Sequence, residues 1–349
     1  MMTVKKVALG LGTIAALIFL LLASFSFYFY QMVIERKPQA PWSQNTKLTP
    51  VSMENNEMHT FPVMAMAISP ASPEPAYAEN SSLTGQTLPS WIESQPYQLW
   101  TVTSGDELKL MGYYLPARIP TTRTVILAHG YSSQALEMGE FARFYGEKLG
   151  YNVLLPDARG HGISEGGYTG FGWPDRLDYL LWIQEITDKV GPDAQITLHG
   201  LSMGGATVMM VSGENLPEQV KVIVEDSGYT SVRDELAYQL KRLYNLPAFP
   251  LLPAVSLLTE IKVGYSFSEA SSLKQLEKNH TPMLFIHGAL DDFVPVEMAL
   301  QLYEACQAEK KLYLAENSSH GMAFYTDQPA YEAIVEDFIS LFMGHSPLD

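Results

Sequence analysis

The chain has one cysteine, Cys306, in 349 residues. An internal disulfide is therefore excluded, and so is a zinc site built from several thiolates. Cys306 falls in a helix predicted over 296–308 and reads as a small buried hydrophobe. Positive charge is also scarce: 22 Lys and Arg stand against 38 Asp and Glu, a formal net charge of −16. Polyanion binding depends on clustered Lys and Arg, so nucleic acid is not an expected partner. There is no H-E-x-x-H pair or other close ligand cluster. The Gly-rich stretch ARGHGISEGG (158–167) lacks the G-x-x-x-x-G-K-[ST] phosphate pattern, so neither a metal nor a cofactor is implied. Charged residues make up only 17% of the chain and hydrophobic residues 47%. That is enough apolar material for a large core and argues against global disorder.

The longest apolar run is at the amino terminus. Lys5 and Lys6 precede an uncharged stretch from Val7 to Ile34 that contains VALGLGTIAALIFLLLASF. A helix of about 20 such residues crosses a roughly 30 Å hydrocarbon layer. Residues 1–34 are therefore expected to form a transmembrane anchor or signal segment. An uncleaved signal-anchor is favoured over a cleaved signal, because Ala23-Ser24-Phe25-Ser26 is a weak exit site. A helix buried within the protein is the remaining reading. Lys5 and Lys6 favour a cytoplasmic amino terminus. The expected location is the cell membrane, single-pass, with the rest of the chain extracytoplasmic; secretion after cleavage is the alternative. Residues 35–92 hold Pro38, Pro41, Pro50, Pro62, Pro70, Pro73, Pro75 and Pro89 among many polar residues. They read as an extended tether.

From residue 93 to 345 the pattern is a regular alternation of strands and helices. YQLWTV (97–102) and LKLMGYYL (108–115) predict a hairpin. TVILA (124–128), NVLLP (152–156), 196–199, VKVIVED (220–226), PMLFI (282–286) and KLYLA (311–315) predict further strands. Helices are expected over 135–149, from Pro174 to about Asp188, over 204–213 and over 328–343. Such alternation predicts an α/β fold with a mostly parallel central sheet and helices on both faces, its reactive groups at the carboxyl ends of the strands. Residues 229–268 interrupt the rhythm. RDELAYQLKRLY (233–244) reads as a helix, whereas NLPAFPLLPAV is too rich in proline for a simple one. The segment is expected to form a small cap.

Strand 196–199 runs directly into G-x-S-x-G and then into a helix-forming stretch, the setting in which such a serine acts as a nucleophile. The serine is Ser202. A serine hydroxyl needs a base within hydrogen-bonding reach, and His320, just past strand 311–315, is the candidate. Asp291, just past strand 282–286, would orient the imidazole and stabilise its cation. The backbone N–H groups of Tyr131 and Met203 are candidates for an oxyanion hole. Asp292 competes with Asp291 for the role of acid, with Glu225 and Asp226 further behind. His129, His161, His199 and His287 read as structural or pocket-lining groups.

The motifs HGYSS (129–133), DARGHGISEG (157–166), GLSMGG (200–205), HGALDDFVP (287–295) and SSHG (318–321) resemble the α/β-hydrolase superfamily, over residues 96 to 343. Within the superfamily the chain resembles membrane-anchored bacterial serine hydrolases allied to the serine aminopeptidase and Bem46-like groups. The resemblance implies Ser202 as nucleophile, Asp291 as acid and His320 as base, with Tyr131 and Met203 supplying the oxyanion amides. The expected activity is carboxylic ester hydrolysis through an acyl-serine, with a peptidase or amidase using the same triad as the alternative. A non-catalytic surface binding module is a weaker one. Leu201, Phe293, Phe249 and Leu252 are expected to line the pocket for a small acyl ester or short peptide. A membrane contact is expected through the amino-terminal helix.

Overall fold

The aliphatic and β-branched runs form a single eight-stranded sheet in the computed structural model, which describes residues 2–36 and 91–344. The strands are β1 (Gln98–Thr103), β2 (Lys109–Leu115), β3 (Arg123–Ala128), β4 (Asn152–Pro156), β5 (Gln195–Leu201), β6 (Val220–Asp226), β7 (Met283–Gly288) and β8 (Lys310–Ala315). Their spatial order is β1-β2-β4-β3-β5-β6-β7-β8. The β1–β2 and β2–β4 pairs are antiparallel, and every later pair is parallel.

The central strands are apolar throughout because both faces are covered. Val125, Leu127, Val153, Val222 and Leu284 point to a core that includes Phe141, Tyr145, Tyr331 and Phe338. Ile126, Leu154, Ile196, Leu198, Ile223 and Phe285 point the other way, to Tyr179, Trp182, Val208 and Leu302. The α-helices are α1 (Met2–Val33), α2 (Gly139–Arg143), α3 (Asp175–Val190), α4 (Met203–Ser212), α5 (Val232–Tyr244), α6 (Leu251–Val263), α7 (Ser272–Leu276), α8 (Val296–Ala305), α9 (Ala323–Thr326) and α10 (Gln328–Ser340).

Two local expectations gain detail. The helix predicted over 135–149 forms as one continuous stretch, but its winding changes along the way, from a 3₁₀ turn (Ala135–Met138) through α2 to a π turn (Phe144–Lys148). Gly146 sits in the π turn against the Trp91 ring, and a Cβ there would lie 3.3 Å from it. The proline-rich stretch after α5 does contribute a regular helix. Residues 245–250 form the link, and Pro253 falls in the first turn of α6, where a missing N–H breaks no helical bond. The 229–268 segment is thus mainly helical.

The amino terminus differs most from expectation. Among the described residues, no helix is long and apolar enough to cross a membrane. This removes the basis for a transmembrane helix or signal-anchor, for membrane attachment through the amino-terminal helix, and for the single-pass extracytoplasmic placement with its secreted alternative. The apolar residues at the end of α1 pack on protein instead. Phe29, Tyr30, Val33 and Ile34 are buried in one cluster with Met203, Leu252, Val255 and Phe267. The backbone beyond them is pinned to the Gly-rich loop: Thr169 N–H donates to Ile34 O at 2.8 Å and Arg36 N–H to Gly167 O at 2.8 Å. The Arg36 guanidinium donates to the carbonyls of Gly162 (2.8 Å) and Ser164 (2.9 Å). The expected 35–92 tether lies, apart from its ends, outside the described residues.

Because Ile34 is fully buried, Ile34→Ala is expected to destabilise the folded domain by about 2–5 kcal/mol. Urea unfolding of the full chain checks this. An unchanged midpoint would mean that the segment contributes nothing to the core.

Candidate active site

β5 ends in a turn that admits no side chain at two positions. A Cβ on Gly200 would overlap the carbonyl of Gly204, and one on Gly204 would overlap the carbonyl of Ala128 on β3. Between them Ser202 adopts φ 56° and ψ −114°, a conformation that costs a non-glycine residue roughly 1–3 kcal/mol. The turn is held on both sides: Ser202 N–H donates to Asp226 O at 2.7 Å, and Ser202 O accepts from Ala206 N–H at 3.0 Å as α4 begins. Its side chain is left projecting beyond the carboxyl edge of the sheet.

The other two groups come from the loops after β7 and β8, which are parallel neighbours. Those loops are tied to each other, with Leu290 N–H donating to Ser318 O at 2.9 Å. This brings together groups far apart in sequence. His320 Nε2 lies 2.8 Å from Ser202 Oγ, and His320 Nδ1 lies 2.7 Å from Asp291 Oδ2. An ionised carboxylate only accepts, so Nδ1 carries the hydrogen and Nε2 is the acceptor for the serine hydroxyl. Asp291 Oδ1 accepts from the N–H groups of Phe293 and Val294, each at 2.9 Å. Burial alone would raise the Asp291 carboxyl. The close His287 imidazole and the hydrogen bond from His320 outweigh it and hold the group well below its ordinary range. The Asp291 side chain is fully buried, whereas His320 remains 23% exposed.

Asp292 points away from this site. Its side chain is 79% exposed and pairs with Arg242 at 3.3 Å. Asp226 accepts from Ser227 Oγ and Tyr331 OH, and Glu225 accepts from Gly228 N–H. His129 Nε2 accepts from Ala158 N–H, so its Nδ1 donates to Gly130 O. Burial, reinforced by the nearby His161, pushes this imidazole down to about 3. His199 lies between the hydroxyls of Tyr145 and Tyr331 and is likewise lowered to about 3 by burial. His161 meets the carbonyl of Arg159. Around it, Asp157 accepts from Ala135 and Ile163 N–H groups, and Arg159 pairs with Asp178 at 2.7 Å.

Met203 is the first residue of α4, so its N–H has no intrahelical acceptor. Gly130 lies against the serine, since a Cβ there would sit 3.6 Å from Ser202 Cβ. The Tyr131 hydroxyl donates to Val33 O at 3.1 Å, and its ring stacks on Phe171 at 5.3 Å. Phe293 stands 4.8 Å from the His320 ring, and Leu201 faces Gly321. Leu252 is buried in the cluster that contains Met203. Phe249 lies on the link before α6 and is 76% exposed. Among the described residues, no group of three or more His, Cys, Asp or Glu side chains is placed to hold a metal ion. Sequence reasoning missed two neighbours of the site. One is the end of α1, which lacks any catalytic motif. The other is Ser227, whose Oγ accepts from Gly321 N–H at 3.3 Å.

A family model described as serine aminopeptidase, S33, matches residues 120–279. That stretch includes Ser202 and stops short of Asp291 and His320. The uncharacterized protein YqkD of Bacillus subtilis is 32% identical over 71% of this chain and 81% of its own length. Protein bem46 of Schizosaccharomyces pombe is 23% identical over 70% of this chain and 77% of its own. An esterase from Pyrococcus furiosus has a similar structure, with a TM-score of 0.60 at 25% identity, covering 75% of this chain and 97% of that one.

Two carboxyls near the site have a measurable consequence. Burial pushes both Glu225 and Glu235 up to about 8. In the unfolded chain each ionises near its ordinary value of about 4.3. The folded state therefore keeps protons that the unfolded state releases. This contribution to stability is complete below about pH 4 and is lost as pH rises toward 8. Glu225→Gln is expected to flatten the decline in melting temperature between about pH 5 and 8, measured against wild type in matched buffers. An unaltered slope would show that Glu225 is ionised in the folded protein.

Proposed function

The chain belongs to the α/β-hydrolase superfamily, and on that premise we propose that it is a serine hydrolase cleaving carboxylic esters through an acyl-serine intermediate. The observation that carries this reading is the series Ser202 Oγ to His320 Nε2 (2.8 Å) and His320 Nδ1 to Asp291 Oδ2 (2.7 Å), set on a serine with positive φ. His320 takes the hydroxyl proton as Ser202 Oγ bonds to the ester carbonyl carbon, and Asp291 stabilises the imidazolium that forms. The N–H groups of Tyr131 and Met203 receive the negative charge that develops on the carbonyl oxygen. As the tetrahedral intermediate collapses, the C–O bond to the alcohol breaks and His320 returns the proton to that oxygen. Water then attacks the acyl-serine by the same route, releasing the acid and restoring Ser202.

On this reading the catalytic unit spans 93–345, with 229–268 as a small cap. Burial of Leu251, Leu252 and Val255 in one cluster with Met203 supports the cap. Leu201 and Phe293 line the acyl side, with Leu252 behind them and Phe249 at the rim.

A peptidase or amidase reading is favoured by the match to the serine aminopeptidase, S33, family model, and a Bem46-like subgroup by the bem46 likeness; the peptidase reading is the one that differs in chemistry. It needs an acidic rim to hold a substrate amine. Glu137, Glu140, Glu165 and Asp175, the acidic side chains considered for such a rim, are already engaged: Glu137 with Ser133, Glu140 with Arg143, Glu165 with Lys109 N–H and Asp175 with Gly172 N–H. The ester reading is therefore preferred.

A fluorophosphonate probe is expected to label wild type but not Ser202→Ala, and the substitution should lower p-nitrophenyl ester turnover by on the order of 10⁴-fold or more. Turnover of aminoacyl-p-nitroanilides well above that of short esters would replace the ester reading with the peptidase one.

A further inference from the structure

The acid of the triad has a second imidazole behind it. His287 is the penultimate residue of β7, and its side chain, like that of Asp291, is fully buried. Its Nε2 lies 2.8 Å from the carbonyl oxygen of Val294 and 3.3 Å from Asp291 Oδ2. Both neighbours are acceptors, so Nε2 must carry a hydrogen. The one hydrogen on Nε2 is directed at Val294 O, which ties the ring to the Asp291 loop, and Asp291 Oδ2 stands beside it as a close electrostatic contact. Oδ1 takes the N–H groups of Phe293 and Val294, and Oδ2 lies between His320 Nδ1 and His287 Nε2. From this geometry we infer that His287 is a positioning residue of the triad, which fixes the Asp291 carboxylate and shares its negative charge with His320. The inference rests on the triad reading above.

The other ionisable groups around His287 do not duplicate this role. Glu225 and Asp226 face it from β6, Glu235 from α5, and the pair Asp291 and His320 from the two loops. Asp226 is occupied by Ser227 and Tyr331. Glu225 Oε1, Glu235 Oε2 and His287 Nδ1 are buried without a hydrogen-bond partner among the described residues. Burial favours the neutral form of both glutamates. Burial would also lower His287, but its contacts with Asp291 and Val294 raise it. The sign of the effect on His320 does not depend on whether His287 holds one proton or two. Removing its N–H concentrates the carboxylate charge on His320, which then holds a proton to higher pH and is less available as a base.

The test is the rate at which a fluorophosphonate probe labels Ser202 in the full chain, followed from about pH 5 to 9. This readout needs no knowledge of the natural substrate. His287→Leu is expected to move the acid limb of the profile upward by up to about one pH unit, an up to tenfold loss of labelling rate on that limb. His287→Gln, which keeps an N–H near the position of Nε2, should restore the limb toward wild type. An acid limb that stays in place in His287→Leu, with only the melting temperature reduced, would overturn the inference and leave His287 as core packing. If the leucine variant does not fold, His287→Asn replaces it, since its shorter amide does not extend to the Nε2 position. Failure of wild type to label would refute the triad reading itself, so the two failures remain distinct.

Discussion

The geometry of Ser202 follows from the lack of room where β5 meets α4. Neither flanking glycine tolerates a Cβ, and the serine between them is held at positive φ by hydrogen bonds to Asp226 O on one side and Ala206 N–H on the other. A strained residue persists only where its surroundings over-determine it. Here β5 is paired on both edges, and every residue of α4 from Met203 to Ser212 is buried. The turn cannot relax without disturbing two core clusters, so the hydroxyl stays in place.

The same economy governs its partners. Asp291 and His320 leave adjacent parallel strands, and their loops are bonded to each other before either side chain reaches the serine. Pairing of β7 with β8 therefore sets the imidazole–carboxylate contact, and the β5 turn then supplies the hydroxyl. The polar groups around this centre are either satisfied or buried in a form that avoids charge. His129 and His199 are held neutral, and Glu225 and Glu235 retain protons to about 8. Asp291 is the exception, ionised because donors surround it.

The run at the amino terminus shows where residue patterns lose their meaning. An apolar helix end is satisfied equally well by hydrocarbon and by protein, and hydropathy does not separate the two. Phe29, Tyr30, Val33 and Ile34 pack against α6 and the residues around Met203, with Arg36 fastening the chain to the Gly-rich loop. Nothing in the spacing of those residues indicates that partner. The helix expected over 135–149 does form, and only its change of winding, with Gly146 in the π turn against Trp91, lies beyond what its apolar period indicates.

Local chemistry alone determined the alternation of strands and helices, the two-sided burial of the central strands, and a serine turn between Gly200 and Gly204. Period, propensity and backbone sterics act over a few residues and are legible there. Tertiary structure decided which polar groups meet. Asp291 and Asp292 are neighbours of identical chemistry, yet one is buried against His320 and the other is exposed beside Arg242. The same held for His287, which resembled the other structural histidines until its Nε2 was placed against Asp291. Contacts of this kind depend on strand order and loop docking across long stretches of chain, and no local pattern encodes them.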